Sequence, residues 1–114
     1  MRKLYLPLVI AGVFVFQFCS SSKKAASATP AAITYEKNIM PVISTSCSPC
    51  HIPGKGNKKP LDTYAAASTT VDDIITRIQK NPGEKGFMPA MHPKLSDSTI
   101  NAFVAWKQNG MIEK

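Results

Sequence analysis

The chain has 114 residues, of which 44% are hydrophobic, and its formal net charge at pH 7 is +7. This length suits one small domain, whose limited core would gain from an additional covalent or metal link. Lysine supplies almost all of the positive charge, because Arg2 and Arg77 are the only arginines. The sequence therefore has no arginine-rich stripe with interleaved aromatic residues, and no nucleic-acid partner is expected.

Residues 1–18 have the pattern of an export signal. Arg2 and Lys3 give a positive N-terminal region, and an almost wholly apolar run follows from Leu4 to Phe18. This run is shorter than the ~20 residues of a membrane span and has the usual length of a signal-peptide core. We therefore expect residues 1–18 to be a signal peptide that delivers the rest of the chain outside the cytoplasmic membrane, to the periplasm.

Cys19 directly follows the apolar run, and an odd cysteine in an exported protein requires an explanation. Its position resembles that in a bacterial lipoprotein signal, where the cysteine is diacylated and becomes the new N-terminus, although Phe18 is larger than the residue usually found before it. Ordinary cleavage after Ala28 and an uncleaved anchor are the alternatives. We predict lipidation at Cys19, which would tether the protein to a membrane.

Residues 19–32 consist of Ser, Ala, Lys, Thr and Pro apart from the cysteine. They have no apolar periodicity, so we expect a flexible tether and place the folded domain at residues 33–114. Thr34 is a suitable N-cap for the first helix. Pro41 interrupts the helical pattern, so either a short turn ends near Asn38 and a second helix begins at Pro41, or one helix is kinked there.

The first helix leads into Cys47-Ser48-Pro49-Cys50-His51. Two thiols three positions apart and an imidazole directly after them form the attachment pattern of a c-type haem. The spacing is a geometric requirement, because the two thioethers must straddle one haem edge while the imidazole reaches the iron. We therefore expect one covalent haem c, bound through Cys47 and Cys50, with His51 as the proximal iron ligand.

The rest of the domain shows helical patterns and no alternating strand pattern longer than four residues. Residues 52–61 and 81–95 are expected to be loops. Asp62 is predicted to cap a short helix over residues 63–67, and Thr70 to open a capping box for a helix that ends near Lys80. Ser96 is predicted to cap the last helix, which Gly110 terminates; the core face of that helix is formed by Ile100, Phe103, Val104 and Trp106.

A second axial iron ligand must come from well downstream of His51, where three side chains in the loop at residues 81–95 are candidates; Met40 and Met111 are expected to fill the core instead. Met88, Met91 and His92 all carry a suitable sulfur or nitrogen atom. Met88 is favoured because Pro89 biases its backbone to an extended conformation and stiffens the loop, and a weak iron–thioether bond gains from a stiff loop. Met91 and His92 remain open as alternatives.

These motifs together resemble the small class I bacterial cytochromes c, over roughly residues 33–110. The resemblance rests on the haem-attachment motif, on Pro60-Leu61, on Met88-Pro89-Ala90 and on Leu95-Ser96-Asp97 before the last helix. It implies an all-α, small cytochrome c fold of three to four short helices around one haem. It further implies that Met88 is the distal ligand and that the Pro60 carbonyl accepts the N–H of the His51 imidazole.

One departure from that family concerns the first helix, which lacks the glycine at which the first and last helices usually cross, so Ile43 is expected to meet Trp106 instead. The expected function is a monohaem electron carrier rather than an enzyme. Its redox protein partners are expected to be acidic if the lysines after the motif form a patch at the haem edge; these are Lys55, Lys58 and Lys59.

Four other functions are alternatives to electron transfer. Two keep the haem: a domain that binds a diatomic gas or a peroxide, and a haem subunit of a larger oxidase or dehydrogenase. A thioredoxin-like dithiol would need a strand before the motif. A structural zinc site would have to use Cys47, Cys50, His51 and His92, a poor set because Cys50 and His51 are adjacent.

Overall fold

A computed structural model describes residues 31–114. Within that range the chain forms one π-helical turn, Tyr35–Ile39, four α-helices and no strand. The helices are α1 (Met40–Ser46), α2 (Tyr64–Thr69), α3 (Val71–Ile78) and α4 (Asp97–Gln108). The predicted all-α class is confirmed. The predictions for the signal peptide, for Cys19 and for most of the tether lie outside the described residues.

The first helical segment changes its hydrogen-bond pattern where Pro41 enters it. The Thr34 hydroxyl accepts a hydrogen bond from the Lys37 backbone N–H, at 3.4 Å, as predicted for an N-cap. Pro41 has no N–H to donate, and it lies in the first two positions of α1, directly after the π-helical turn. The second helix therefore begins at Met40 without a break, and Cys47 caps its C-terminal end.

Two predicted helix caps are wrong: one lies one residue away from the predicted position, and the other does not form the predicted hydrogen bonds. Thr63, not Asp62, caps α2: its backbone is extended and its hydroxyl accepts from the Ala66 N–H at 3.1 Å. Thr70 forms no capping box, because it also ends α2 and its hydroxyl donates to the Ala66 carbonyl at 2.7 Å. The cause is the direct succession of α2 and α3, which leaves no extended residue for a cap between them.

The last helix follows the prediction closely. The Ser96 hydroxyl accepts from the Thr99 N–H at 3.2 Å, and Gly110 adopts the left-handed conformation, with φ of +81°, that ends a helix at low cost. Helix α4 packs against α3 and against the π-helical turn. Its inner face is buried at Ile100, Phe103 and Trp106.

An aromatic cluster fills the crossing of the first and last helical segments. The rings of Tyr35 and Tyr64 lie 5.9 Å and 6.2 Å from that of Trp106. The Trp106 indole N–H donates to the Ile112 carbonyl at 2.9 Å. Ile43, which the sequence predicted to meet Trp106, is fully buried in the same core; the Tyr35 ring lies beside the tryptophan at an interplanar angle of 36°. No helix in residues 31–114 is long and apolar enough to span a membrane.

Candidate functional site

A cavity of about 530 Å³ opens between the C-terminal end of α1, helix α3 and the loop that precedes α4. Its volume lies within the ~300–1,000 Å³ of cofactor and ligand sites, and its wall is predominantly apolar. Four residues predicted to bind the haem or its iron line this one cavity: Cys47, Cys50, His51 and Met88. The structure thus brings together residues that are up to 41 positions apart in the chain.

The attachment motif is a tight turn that continues from α1. The Cys47 N–H donates to the Ile43 carbonyl at 3.1 Å, and the His51 N–H donates to the Cys47 carbonyl at 3.0 Å. Because these two bonds coil the motif, both cysteines and the imidazole face the same cavity. Attachment through two thioethers and ligation by the adjacent imidazole need this arrangement.

The His51 ring is oriented by a backbone carbonyl. Its Nδ1 lies 2.7 Å from the carbonyl oxygen of Lys59. A carbonyl can only accept, so Nδ1 carries the proton and Nε2 keeps the lone pair that a metal requires. This is the contact that fixes the tautomer and the direction of a metal-binding histidine.

The acceptor predicted for this contact was the Pro60 carbonyl, and that prediction is wrong by one residue. The Leu61 N–H donates to the His51 carbonyl at 3.0 Å. The Pro60 carbonyl belongs to the same trans peptide unit, whose C=O and N–H point in opposite directions, so it is turned away from His51. The preceding carbonyl, that of Lys59, faces the ring instead.

Burial raises the pKa of the Cys47 thiol to about 11. The thiol therefore keeps its proton at neutral pH, whereas disulfide exchange uses the thiolate. This chemistry argues against the dithiol alternative. The zinc alternative lacks support for another reason: residues 31–114 contain no group of three or more His, Cys, Asp or Glu side chains placed to hold a metal ion.

The three candidates for the distal ligand all line the cavity but differ in their surroundings. Met88 is half-buried, and its N–H donates to the Arg77 carbonyl at 3.2 Å. The Met91 side chain is 76% exposed. The Nε2 of His92 lies 3.0 Å from the Ser48 carbonyl. Of the three, only Met88 combines partial burial with a backbone contact to α3.

Helix α3 contributes a wall that the sequence analysis did not assign to the site. The side chains at Asp73, Ile74, Arg77 and Ile78 recur at three- and four-residue spacing and line the cavity. The Arg77 Nε lies 2.8 Å from the Asp73 carboxylate, and this hydrogen bond lowers the pKa of Asp73. The helical spacing was visible in the sequence, but the side of the helix that would face the cavity was not.

Comparison with known protein families gives one match. Residues 27–106 match the family model described as cytochrome c oxidase, cbb3-type, subunit III. This is a family of c-type cytochromes, and the match covers most of the domain. The chain belongs to it. No curated protein and no solved structure matches the chain.

Membership of this family implies a covalently attached haem c and haem-based electron transfer. Three observations show that the site of this c-type cytochrome suits haem c. Two thiols and an imidazole face one cavity, the imidazole is held with its lone pair available, and the cavity wall is apolar. When bound, the haem would supply an iron centre that accepts and releases one electron; Cys47 and Cys50 would hold it through thioethers, and His51 would offer its free Nε2 to the iron.

Gly56 is a further residue of the site that the sequence analysis missed. A Cβ atom at this position would collide with the backbone carbonyl oxygens of Pro49 and Cys50. Since these belong to the attachment motif, the loop at residues 52–61 packs directly on it, and a glycine is required at the contact. The sequence signal was only a glycine inside a loop, which has many other causes.

We predict that Gly56→Ala lowers the free energy of unfolding of the holoprotein by ~1–3 kcal/mol and reduces haem incorporation, because neither colliding carbonyl can move without distorting the motif. Gly54→Ala is the matched control, since no atom lies within 4 Å of the added methyl group although its φ is +75°. It should cost ~1–2 kcal/mol from backbone strain and leave haem incorporation unchanged. Denaturant unfolding and the haem-to-protein ratio measure both effects, and equal haem incorporation in the two variants would contradict the prediction.

Proposed function

We propose that this cytochrome carries electrons through a single haem c with His51 and Met88 as axial ligands, outside the cytoplasmic membrane. The observation that supports it most is the shared cavity, where a histidine oriented by the Lys59 carbonyl and a half-buried methionine line one apolar space with both cysteines. Two protein ligands leave no open coordination position, so an electron is gained or lost with little rearrangement. The domain itself is proposed to be a carrier rather than an enzyme.

Met88 is proposed as the distal ligand because its surroundings differ from those of the other two candidates, Met91 and His92. Met91 also lines the cavity but is 76% exposed, and the Nε2 of His92 is engaged by a carbonyl. Met88 is anchored to α3 through its own backbone N–H. A thioether ligand favours ferrous iron and raises the reduction potential relative to two nitrogen ligands, which suits a carrier that accepts electrons from a donor of lower potential.

The proposed partner is an acidic surface of a redox protein. Lys58 and Lys59 are exposed and line the mouth of the cavity, and Lys55 is exposed in the same loop. Positive charge at the point of electron entry speeds encounter with an acidic surface, and salt weakens this effect. The family description names an oxidase subunit, so a larger oxidase complex is a second candidate for the partner.

We further propose that the domain at residues 33–114 is tethered in the periplasm through a lipid on Cys19. The support is the sequence alone: a positive start, an apolar run and a cysteine directly after it. The polar stretch from Ser20 to Ala32 would then allow the domain to move near the membrane. Mass spectrometry of the mature N-terminus should find a diacylated Cys19; a chain that begins at Thr29 or at Met1 would contradict lipidation.

Ferric and ferrous spectra of the wild-type holoprotein test the proposed function. With two protein ligands, both states are expected to be low-spin, the ferric state should show the thioether-to-iron charge-transfer band, and carbon monoxide should not bind the ferrous state readily. A high-spin ferrous state that binds carbon monoxide at once would instead support the gas-binding alternative.

A further inference from the structure

A side-chain contact joins the loop before α4 to the haem-attachment motif. The His92 ring reaches the Ser48 carbonyl, with 3.0 Å between Nε2 and the oxygen, across 44 positions of sequence. Because a carbonyl can only accept, Nε2 carries a proton and donates. Ser48 lies between the two cysteines of the motif and, like His92, lines the cavity, so this exposed hydrogen bond joins two parts of the cavity wall.

The segment at residues 88–92 is therefore fixed at both of its ends. At the first end, the Met88 N–H donates to the Arg77 carbonyl on α3, at 3.2 Å. Between the ends, Pro89 is buried and its carbonyl accepts from the His92 N–H at 3.4 Å. At the second end, the His92 ring contacts the attachment motif. The Met88 side chain enters the cavity from this doubly fixed segment.

The second anchor depends on His92 alone. Within residues 31–114, no other hydrogen bond joins residues 81–96 to residues 47–51. The other side-chain hydrogen bonds of residues 81–95 stay within this loop or join it to Lys80, which follows α3; the bond from the Lys94 ammonium to the Asn81 amide oxygen, 2.9 Å long, is an example. Loss of the His92 ring would leave the bond from the Met88 N–H to Arg77 as the one described hydrogen bond between residues 88–92 and the rest of residues 31–114.

We propose that His92 is a positioning residue that holds the segment at residues 88–92 closed over the haem, and thereby limits the access of other ligands to the iron. The inference rests on the proposed Met88 ligation. It assigns to the imidazole a role that differs from both iron ligation and passive covering of the haem edge. The hydrogen bond adds to the stability of the closed segment, so its removal should increase the fraction of molecules in which Met88 is displaced.

The experiment titrates imidazole into the ferric holoprotein and follows its binding by the loss of the charge-transfer band. His92→Ala should bind imidazole roughly threefold to tenfold more tightly than the wild type, the effect expected for one hydrogen bond. His92→Gln should restore most of the wild-type affinity, because the glutamine amide also donates. Lys94→Ala is the matched control: it removes a hydrogen bond in the same loop that does not reach the motif, and its imidazole affinity should stay at the wild-type value.

Two measurements distinguish a failure of this inference from a failure of Met88 ligation: the imidazole affinity of the variants and the spectrum of the wild-type protein. Wild-type affinity in His92→Ala, an equal rise in Lys94→Ala, or no recovery in His92→Gln would overturn the role of His92 while the charge-transfer band still supports Met88. A wild-type ferric protein without that band would overturn both. A general loss of stability would affect His92→Ala and Lys94→Ala alike, so it would not produce the expected difference in imidazole affinity between these two variants.

Discussion

Replacing both Cys47 and Cys50 with serine is expected to yield a protein from which acid–acetone extracts all of the haem, whereas the wild-type polypeptide stays red after the same treatment. Both thiols line the cavity beside His51, and a thioether survives denaturation while iron ligation does not. Serine is close to cysteine in size but its hydroxyl does not add to the vinyl groups. The haem remaining in the precipitated protein, and the mass of the intact chain, measure the effect.

The single variants are the internal control for this experiment. Cys47→Ser and Cys50→Ser each keep one thioether, so each chain should retain haem after denaturation, although maturation yields are expected to fall. Ser46→Ala, at another cavity-lining position next to the motif, should behave as the wild type does. Complete extraction of haem from the wild-type protein would contradict covalent attachment and remove the basis of the proposed electron carrier.

Local signals predicted the helices of this domain better than its connections. Thr34 and Ser96 cap their helices as predicted, because capping depends on a few consecutive residues and on one hydroxyl. The cap of α2 was placed at Asp62 instead of Thr63, since both residue types accept hydrogen bonds from a first helical turn and the sequence does not distinguish them. Element boundaries of this kind depend on which of two adjacent residues adopts the extended conformation.

The residues of the site were predictable where covalent chemistry fixes their spacing, and at Met88, where a proline follows a side chain that can bind iron. The attachment motif dictates Cys47, Cys50 and His51 whatever the fold around them. The carbonyl that orients His51 was displaced by one residue, from Pro60 to Lys59, because the direction of a carbonyl in a loop depends on a distant hydrogen bond, the one from Leu61 to His51.

The cavity wall formed by α3 was also not predictable from the sequence, because it depends on how this helix packs. Asp73 and Arg77 lie one helical turn apart and pair with each other, which is an ordinary arrangement on an exposed helix. The packing of α3 against α4 turns the helix face that carries Asp73 and Arg77 toward the cavity. In that position Arg77 has a second role, because its carbonyl accepts the hydrogen bond that anchors Met88. No pattern in the sequence specifies this packing.

Met88→Ala is expected to abolish the thioether-to-iron charge-transfer band of the ferric protein and to lower its reduction potential. The side chain is half-buried in the cavity and its backbone is anchored to α3, an anchor that Met91, which lines the same cavity, does not have. Without the thioether, the ferrous state loses its preferred ligand. Because axial ligands spread haem potentials over ~0.8 V, the decrease should far exceed that of any surface substitution, and redox titration followed by visible absorption measures it.

Met91→Ala is the matched control, since it removes the same side chain three positions later in the same loop. Met91 is 76% exposed, so its removal should leave the band and the potential at their wild-type values. The opposite pattern, a band kept in Met88→Ala and lost in Met91→Ala, would assign the ligand to Met91 and require the loop to rotate from the arrangement described. Absence of the band already in the wild-type protein would exclude both sulfur atoms, which leaves the His92 imidazole as the candidate and predicts a low wild-type potential.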